Sequence, residues 1–302
     1  MSAGPARPIV AAAMCILALV AAAGSQGLSA RQERQRSVVV TVLDRSGSPV
    51  RDLSADALVI REDGVAREIV SITPAPPPTE IALLVDDSQA AMPLVRDLRE
   101  ALNGFADAVA DMAPAPAVRV ATIGDRPTVV VDFNPSFSAV SRGIDRISPR
   151  PGSGATLMEA IVETARDLRA RKAQRPVVVA FVVEAGPEFG TLRRDHVADA
   201  LREAGAALWT IVLTSARGSG GSDADRERDM VIGDVTRESG GLNRTVLAGQ
   251  QLPAAFERLA ATLGSGYEVT YGRPERLIPP SRIEIQARDE ALTVVTSRWA
   301  AP

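Results

Sequence analysis

The spacing of apolar positions changes near residue 79, and the change predicts two kinds of structure. Upstream, apolar runs are short and bounded by turn residues. Val38 to Leu43 predicts a strand, closed by the turn cluster Asp44 to Pro49. Leu58 to Ile60 and Ile69 to Ile72 predict two more, joined through Glu62-Asp63-Gly64. Residues 31–37 are polar and predict a loose tether. Pro74 to Pro78 predicts a stiff linker, because proline holds the chain extended. Three strands alone are marginal, so this small β unit is expected to pack on its neighbour.

Downstream, strands alternate with helices. Ile81 to Val85 is an apolar run. Leu94, Leu98, Leu102, Phe105, Val109 and Met112 fall on one helical face. Val118 to Ile123 and Thr128 to Val131 predict an antiparallel pair, since only the turn Gly124 to Pro127 separates them. Leu157, Ile161, Ala165 and Leu168 mark a helix, and Val177 to Val183 is apolar throughout, as a central strand is. Residues 192–204 predict a helix, Ala207 to Leu213 a strand, and Arg217 to Ser222 a flexible loop. A helix carrying Met230, Ile232 and Val235 leads to a short strand near 242–246. Leu252, Phe256, Leu259 and Leu263 define the last helix, with Pro253 suited to its first turn. Tyr267 to Tyr271, Ile283 to Ile285 and Leu292 to Val295 return to β character and are expected to extend or cover the sheet edge. The fold class is α/β: a doubly wound, mostly parallel sheet with a small N-terminal β unit and C-terminal β strands. The expected division is 1–30 export signal, 31–78 β unit and linker, 79–265 α/β domain and 266–302 C-terminal strands packing on it.

Composition narrows the chemistry. Arg7 precedes an uncharged apolar stretch from Ile9 to Ala23, and Leu28-Ser29-Ala30 offers a small-residue cleavage site, with Ala21-Ala22-Ala23 as an earlier alternative. About 15 apolar residues are short for a membrane span, so a periplasmic or secreted protein is expected, with an uncleaved anchor as the other reading. The single cysteine, Cys15, lies in that stretch. A cleaved chain therefore has no disulfide, thiol nucleophile or cysteine-ligated metal. The single histidine, His196, rules out a multi-histidine zinc site and is expected to be solvated on a polar helix. A formal charge of −3 gives no nucleic-acid footprint. Trp209 and Trp299 read as packing residues.

The most informative feature is the segment Asp86-Asp87-Ser88, directly after the run Ile81 to Val85. A buried strand that delivers an acid and a hydroxyl at its carboxyl end is how open α/β sheets build a ligand site. Oxygen ligands of this kind suit Mg²⁺ or Mn²⁺. Asp86 and Ser88 also suit a helix cap, as does Thr156 beside Gly152-Ser153-Gly154. That glycine-rich segment has no lysine at P-loop spacing and no nucleophile-elbow spacing.

These motifs together resemble the bacterial von Willebrand factor type A proteins of the kind called VWFA-related in acidobacteria. The resemblance covers nearly all of the chain after residue 30. It rests on Glu62-Asp63-Gly64, on Asp86-Asp87-Ser88-Gln89-Ala90 in place of D-x-S-x-S, and on Gly154-Ala155-Thr156-Leu157-Met158 in place of G-x-T-x-L. It rests also on the late segment Ala255 to Ala260 that leads to Tyr267. The resemblance implies a metal-ion-dependent adhesion site in which two serines, a threonine and two aspartates hold Mg²⁺ or a similar ion, whose open position takes a partner's carboxylate. Asp86, Ser88 and Thr156 occupy three of those positions. Ala90 replaces the second serine, and Glu184-Ala185-Gly186 stands where a T-D-G or S-D-G triplet carries the second aspartate. Asp87 and Glu184 are candidate helpers. The resulting expectation is an exported, non-enzymatic binding module for a protein or cell-surface ligand, with a degenerate metal site and no nucleic-acid partner. The alternatives are a metal-free structural or assembly scaffold, favoured by Ala90 and Ala185, and a metal-assisted hydrolase using Asp86 and Asp87.

Overall fold

The computed structural model describes residues 35–214, 221–273, 280 and 282–299. The export signal, Cys15 and residues 217–220 of the expected loop lie outside them. Among the described residues no helix is long and apolar enough to cross a membrane.

The strands are β1 (Gln35–Leu43), β2 (Leu58–Glu62), β3 (Val65–Arg67), β4 (Ile69–Pro74), β5 (Glu80–Val85), β6 (Ala117–Thr122), β7 (Thr128–Asn134), β8 (Val177–Val183), β9 (Ala207–Leu213), β10 (Asn243–Val246), β11 (Tyr267–Gly272), β12 (Ile283–Ala287) and β13 (Thr293–Thr296). The helices are α1 (Val95–Ala110), α2 (Phe137–Ile144), α3 (Leu157–Ala170), α4 (Arg194–Ala204), α5 (Asp223–Met230) and α6 (Leu252–Leu263). A 3₁₀ segment, Gln89–Leu94, leads into α1, and α5 runs on through a π turn at Val231–Val235 into a short helical turn at Thr236–Glu238.

The central sheet has the order β10-β9-β8-β5-β6-β7, parallel except for the antiparallel edge strand β7. It is a doubly wound α/β sheet, as the strand–helix alternation implies. β5 lies in the middle with β6 on one side and β8 on the other. The chain order reverses at this position, and open sheets place ligands in the crevice that the reversal leaves at the carboxyl ends. β8 is buried along its whole length, in keeping with its uninterrupted apolar run. Helices α1, α2 and α6 cover one face, where Phe105 and Phe256 meet edge to face with ring centroids 5.8 Å apart. Helices α3, α4 and α5 cover the other, with Ile161, Leu168, Val197 and Leu201 in its core.

The structure differs from the expected elements in three places. Gln35, Arg36 and Ser37 are not a tether but the start of β1, paired with Gly272, Tyr271 and Thr270. The backbone ladder to β11 holds these polar residues, which side-chain patterning does not register. Of the two arrangements expected for the C-terminal strands, extension of the central sheet does not occur; β12 and β13 instead lie beside its edge strand β10. β11 and β13 flank β1, with β4 beyond β11, while β12 pairs with the β2–β3 hairpin that turns at Asp63-Gly64. Strands from both ends of the chain thus share one apolar core, which includes Val40, Val42, Ile60, Val269 and Ile285. Helix α2 has no counterpart among the expected elements, since its buried residues Val140 and Ile144 are too few to show a period.

Glu62 enters this β core. It is 2% exposed, and its carboxylate accepts from Arg67 Nε at 3.0 Å and Tyr271 Oη at 2.9 Å, with Arg273 Nε at 3.5 Å. One acid so ties β2, β3 and β11 together. Burial and this acceptor push the Tyr271 phenol well above its ordinary pKa.

Candidate functional site

β5 ends at Val85, and the next two carboxylates turn to opposite neighbours. Asp86 is fully buried. Its Oδ2 accepts from the Val183 N–H at the end of β8 (3.0 Å), and its Oδ1 from the Ser88 N–H (2.9 Å). Asp87, also buried, turns toward β6. Its Oδ1 accepts from the Gly124 N–H at 2.6 Å, and its Oδ2 lies 3.3 Å from Arg150 Nε. Adjacent residues of an extended chain point to opposite sides. The two acids are therefore divergent, and they do not converge on one substrate atom as a catalytic pair does.

Burial pushes the Asp86 carboxyl above the usual carboxylate range, and the Asp87 charge adds to this. The two N–H donors act against it. Ser88 Oγ is itself fully buried and completes no hydrogen bond among the described residues. Ser88 heads the 3₁₀ segment without capping it. Thr156 heads α3 without capping it either; its hydroxyl donates to the Ile123 carbonyl at 2.9 Å. The simple capping reading of Asp86, Ser88 and Thr156 does not hold.

The replaced positions sit where the loop after β8 meets the loop after β5. A Cβ on Gly186 would lie 3.2 Å from Ala90 Cβ and 3.3 Å from Ser88 Oγ, so the backbone closes on these two side chains. Ala185 is exposed and brings no side-chain oxygen. The Glu184 carboxylate accepts from the Thr214 hydroxyl beyond β9, on the far side of β8 from β5. The loops before α3 and after β8 also interlock: Ala155 N–H donates to Pro187 O (2.9 Å), and Phe189 N–H to Ala155 O (2.7 Å).

A second set of charged residues supports this loop, and no pattern in the sequence singles it out. Arg228 of α5 is fully buried and donates to the carbonyls of Gly186 (2.6 Å) and Glu184 (3.2 Å). Asp225 accepts the Glu188 N–H at 2.9 Å and forms a capping box with Ser222. Glu188 takes the cap that Thr156 does not: its carboxylate accepts from the Leu157 N–H at 3.1 Å and the Gly190 N–H at 3.1 Å. Burial raises the Glu188 carboxyl to about 8, against the pull of these donors and Arg228. His196 is solvated as expected, Trp209 is in the core, and Trp299 packs against the face carrying α3 and α4, with Arg202 5.0 Å over its ring.

No family model matches the sequence, and no curated protein matches it. Solved structures do. The likeness to proximal thread matrix protein 1 from the mussel byssus, with zinc occupied MIDAS motif, has a TM-score of 0.50 at 18% identity, covering 67% of this chain and 50% of that one. The von Willebrand factor type A protein from Catenulispora acidiphila aligns at 10% identity and a TM-score of 0.47, covering 88% of this chain and 74% of that one. The SpRpn10 VWA domain aligns at 15% identity and 0.44, covering 59% and 93%. The chain has a von Willebrand factor type A fold. In this fold Asp86, Ser88 and Thr156 lie on loops leaving the carboxyl side of the sheet. Among the described residues no group of three or more His, Cys, Asp or Glu could hold a metal ion. A metal here would depend on hydroxyl oxygens.

Proposed function

We propose that this chain is an exported, non-enzymatic binding module. It engages a protein or cell-surface ligand with the loops at 86–92, 123–126, 150–156 and 184–190. The observation that carries this reading is the orphaned Ser88 hydroxyl beside the buried Asp86 carboxylate. A buried polar group without a partner costs about 1–3 kcal/mol, so it calls for a role. The divergence of Asp86 and Asp87 weighs against the hydrolase reading. Export rests on the pattern of residues 1–30.

The donor set suits a hard cation in part. Asp86 has lone pairs to spare, Ser88 Oγ is free, and Thr156 keeps acceptor capacity after donating to Ile123. These three would hold Mg²⁺ or Mn²⁺. A bound ion would supply a positive, unsaturated position for a ligand carboxylate. Ala90 and Ala185 remove two oxygens. Even outer-shell losses cost roughly 10–100-fold in affinity each, so weak binding is expected. The metal-free scaffold is favoured by the closure of Gly186 on Ala90 and by Arg150, which neutralises Asp87.

The test is thermal unfolding of the chain after residue 30 with Mg²⁺ or Mn²⁺ up to about 10 mM, where even weak specific binding raises the melting temperature by mass action. A rise that is absent in Ser88→Ala and Asp86→Asn supports the metal site. No rise in the unaltered protein leaves a loop-based, metal-free interface.

A further inference from the structure

Among the described residues, edge strands of all three sheets meet at one cleft. β10 ends the six-stranded sheet, β13 the four-stranded sheet and β12 the three-stranded sheet. Together with Gly233, Gly241 and Leu242, residues of these three strands line a cavity of about 500 Å³. That volume is within the range of ligand sites. The cleft lies at the amino end of β10, so it is separate from the carboxyl-end loops, and none of Asp86, Ser88 and Thr156 lines it.

Edge strands present backbone N–H and C=O groups that no neighbouring strand takes. Proteins usually guard such edges with proline or charge. β12 carries Glu284 and β10 carries Arg244, but β13 is Thr-Val-Val-Thr and has neither guard. The turn at 288–292 joins β12 to β13, yet the two strands belong to different sheets. The cleft walls combine buried Ile283, Ile285 and Val295 with three arginines and one carboxylate. Arg282 pairs with that carboxylate, Glu284, at 3.0 Å, and Arg237 with Asp234 at 3.3 Å. Arg298 has no ion-pair partner among the described residues.

We propose that this cleft binds an extended acidic segment of a partner protein, which adds to β13 as a further strand and sets a carboxylate against Arg298. Strand addition supplies main-chain hydrogen bonds, and alternate side chains supply selectivity. The Glu238–Gly240 turn packs on Thr296 and Ser297, and the Arg298 N–H donates to the Glu238 carbonyl, so the open part of β13 is Thr293 to Val295, which matches a segment of about three residues, roughly 10 Å long. Apolar side chains on one face of that segment meet Ile283 and Ile285, and acidic ones on the other meet the arginines. This goes beyond the proposed function, because it needs neither the carboxyl-end loops nor a metal.

The probe is acetyl-Glu-Val-Glu-Val-Glu-Val-amide, titrated into ¹⁵N-labelled chain lacking residues 1–30. Saturable amide shifts are expected at 283–286 and 293–295. Two N-methylated versions, one at the Glu and one at the Val amides, test the ladder: one loses binding and the other retains it, because alternate amides face the edge. Arg298→Glu, at an exposed position whose fold the same spectrum checks, should weaken binding about 10-fold or more, the scale of a charge-assisted hydrogen bond. A Lys-Val peptide should not bind. The proposal is overturned by absent shifts, by shifts centred elsewhere, or by equal binding of both N-methylated peptides. It is also overturned by a chain that dimerises through these residues, which would make a second copy the occupant.

Discussion

Asp86 and Asp87 are sequence neighbours with different electrostatic surroundings. Asp87 has Arg150 as a counter-charge, while Asp86 has only N–H donors and an orphaned hydroxyl. Glu188 continues the theme, since its carboxyl is raised from 4.5 to about 8 by burial. Between about pH 5 and 8 the folded protein holds a proton that the unfolded chain has released, so stability falls as pH rises through that window. Each pKa unit corresponds to about 1.4 kcal/mol, and the burial of Asp86 acts in the same direction. The urea midpoint should be higher at pH 5.5 than at pH 8.5, and Glu188→Gln should flatten the slope. A midpoint that does not move with pH would contradict this cause. Asp86, Ser88 and Thr156 are legible in the sequence because motif and strand end coincide there. Glu188, Asp225 and Arg228 are not, because their meeting depends on α5 folding back beneath the loop after β8.

At the scale of elements, the β core hangs on one buried acid. Glu62 serves Arg67, Tyr271 and Arg273 at once. Removing one partner of a buried charged network leaves the others uncompensated, at a cost of about 3–5 kcal/mol. Glu62→Ala should therefore lower stability by that order, measured as the shift in urea midpoint at constant slope. Glu62→Gln, which keeps an acceptor, should cost less. A smaller loss concerns α5, whose capping box makes Ser222→Ala worth about 1 kcal/mol in the same assay. The cap is readable only in part: Ser222 stands at the end of an expected loop, but the helix geometry identifies Asp225 as its partner.

For the whole molecule, the decisive fact is that the two ends of the chain build one β layer. β1 lies between β11 and β13, and β2 between β3 and β12. Deleting residues 266–302 strips β1 of both neighbours and β2 of one. It exposes the core around Val40, Val42 and Ile60. The expected outcome is a chain whose strands β1 to β4 are cut rapidly by protease while the central sheet persists, since two-stranded remnants are marginal in water. Equal resistance across the whole truncated chain would show that the N-terminal strands hold together without their C-terminal partners.

The sequence by itself determined the α/β class, the centrality of β8, the antiparallel β6–β7 pair and the strand end that carries Asp86 and Ser88. Each of these is a local matter: apolar period, turn length and residue order suffice to state it. Only the tertiary structure decided which strands pair across more than two hundred residues, that Asp86 and Asp87 face opposite neighbours, and that three sheet edges share a cleft. Backbone ladders and buried charges join residues distant in sequence, and hydrophobic patterning reports which face of a strand is buried, not which strand lies beside it.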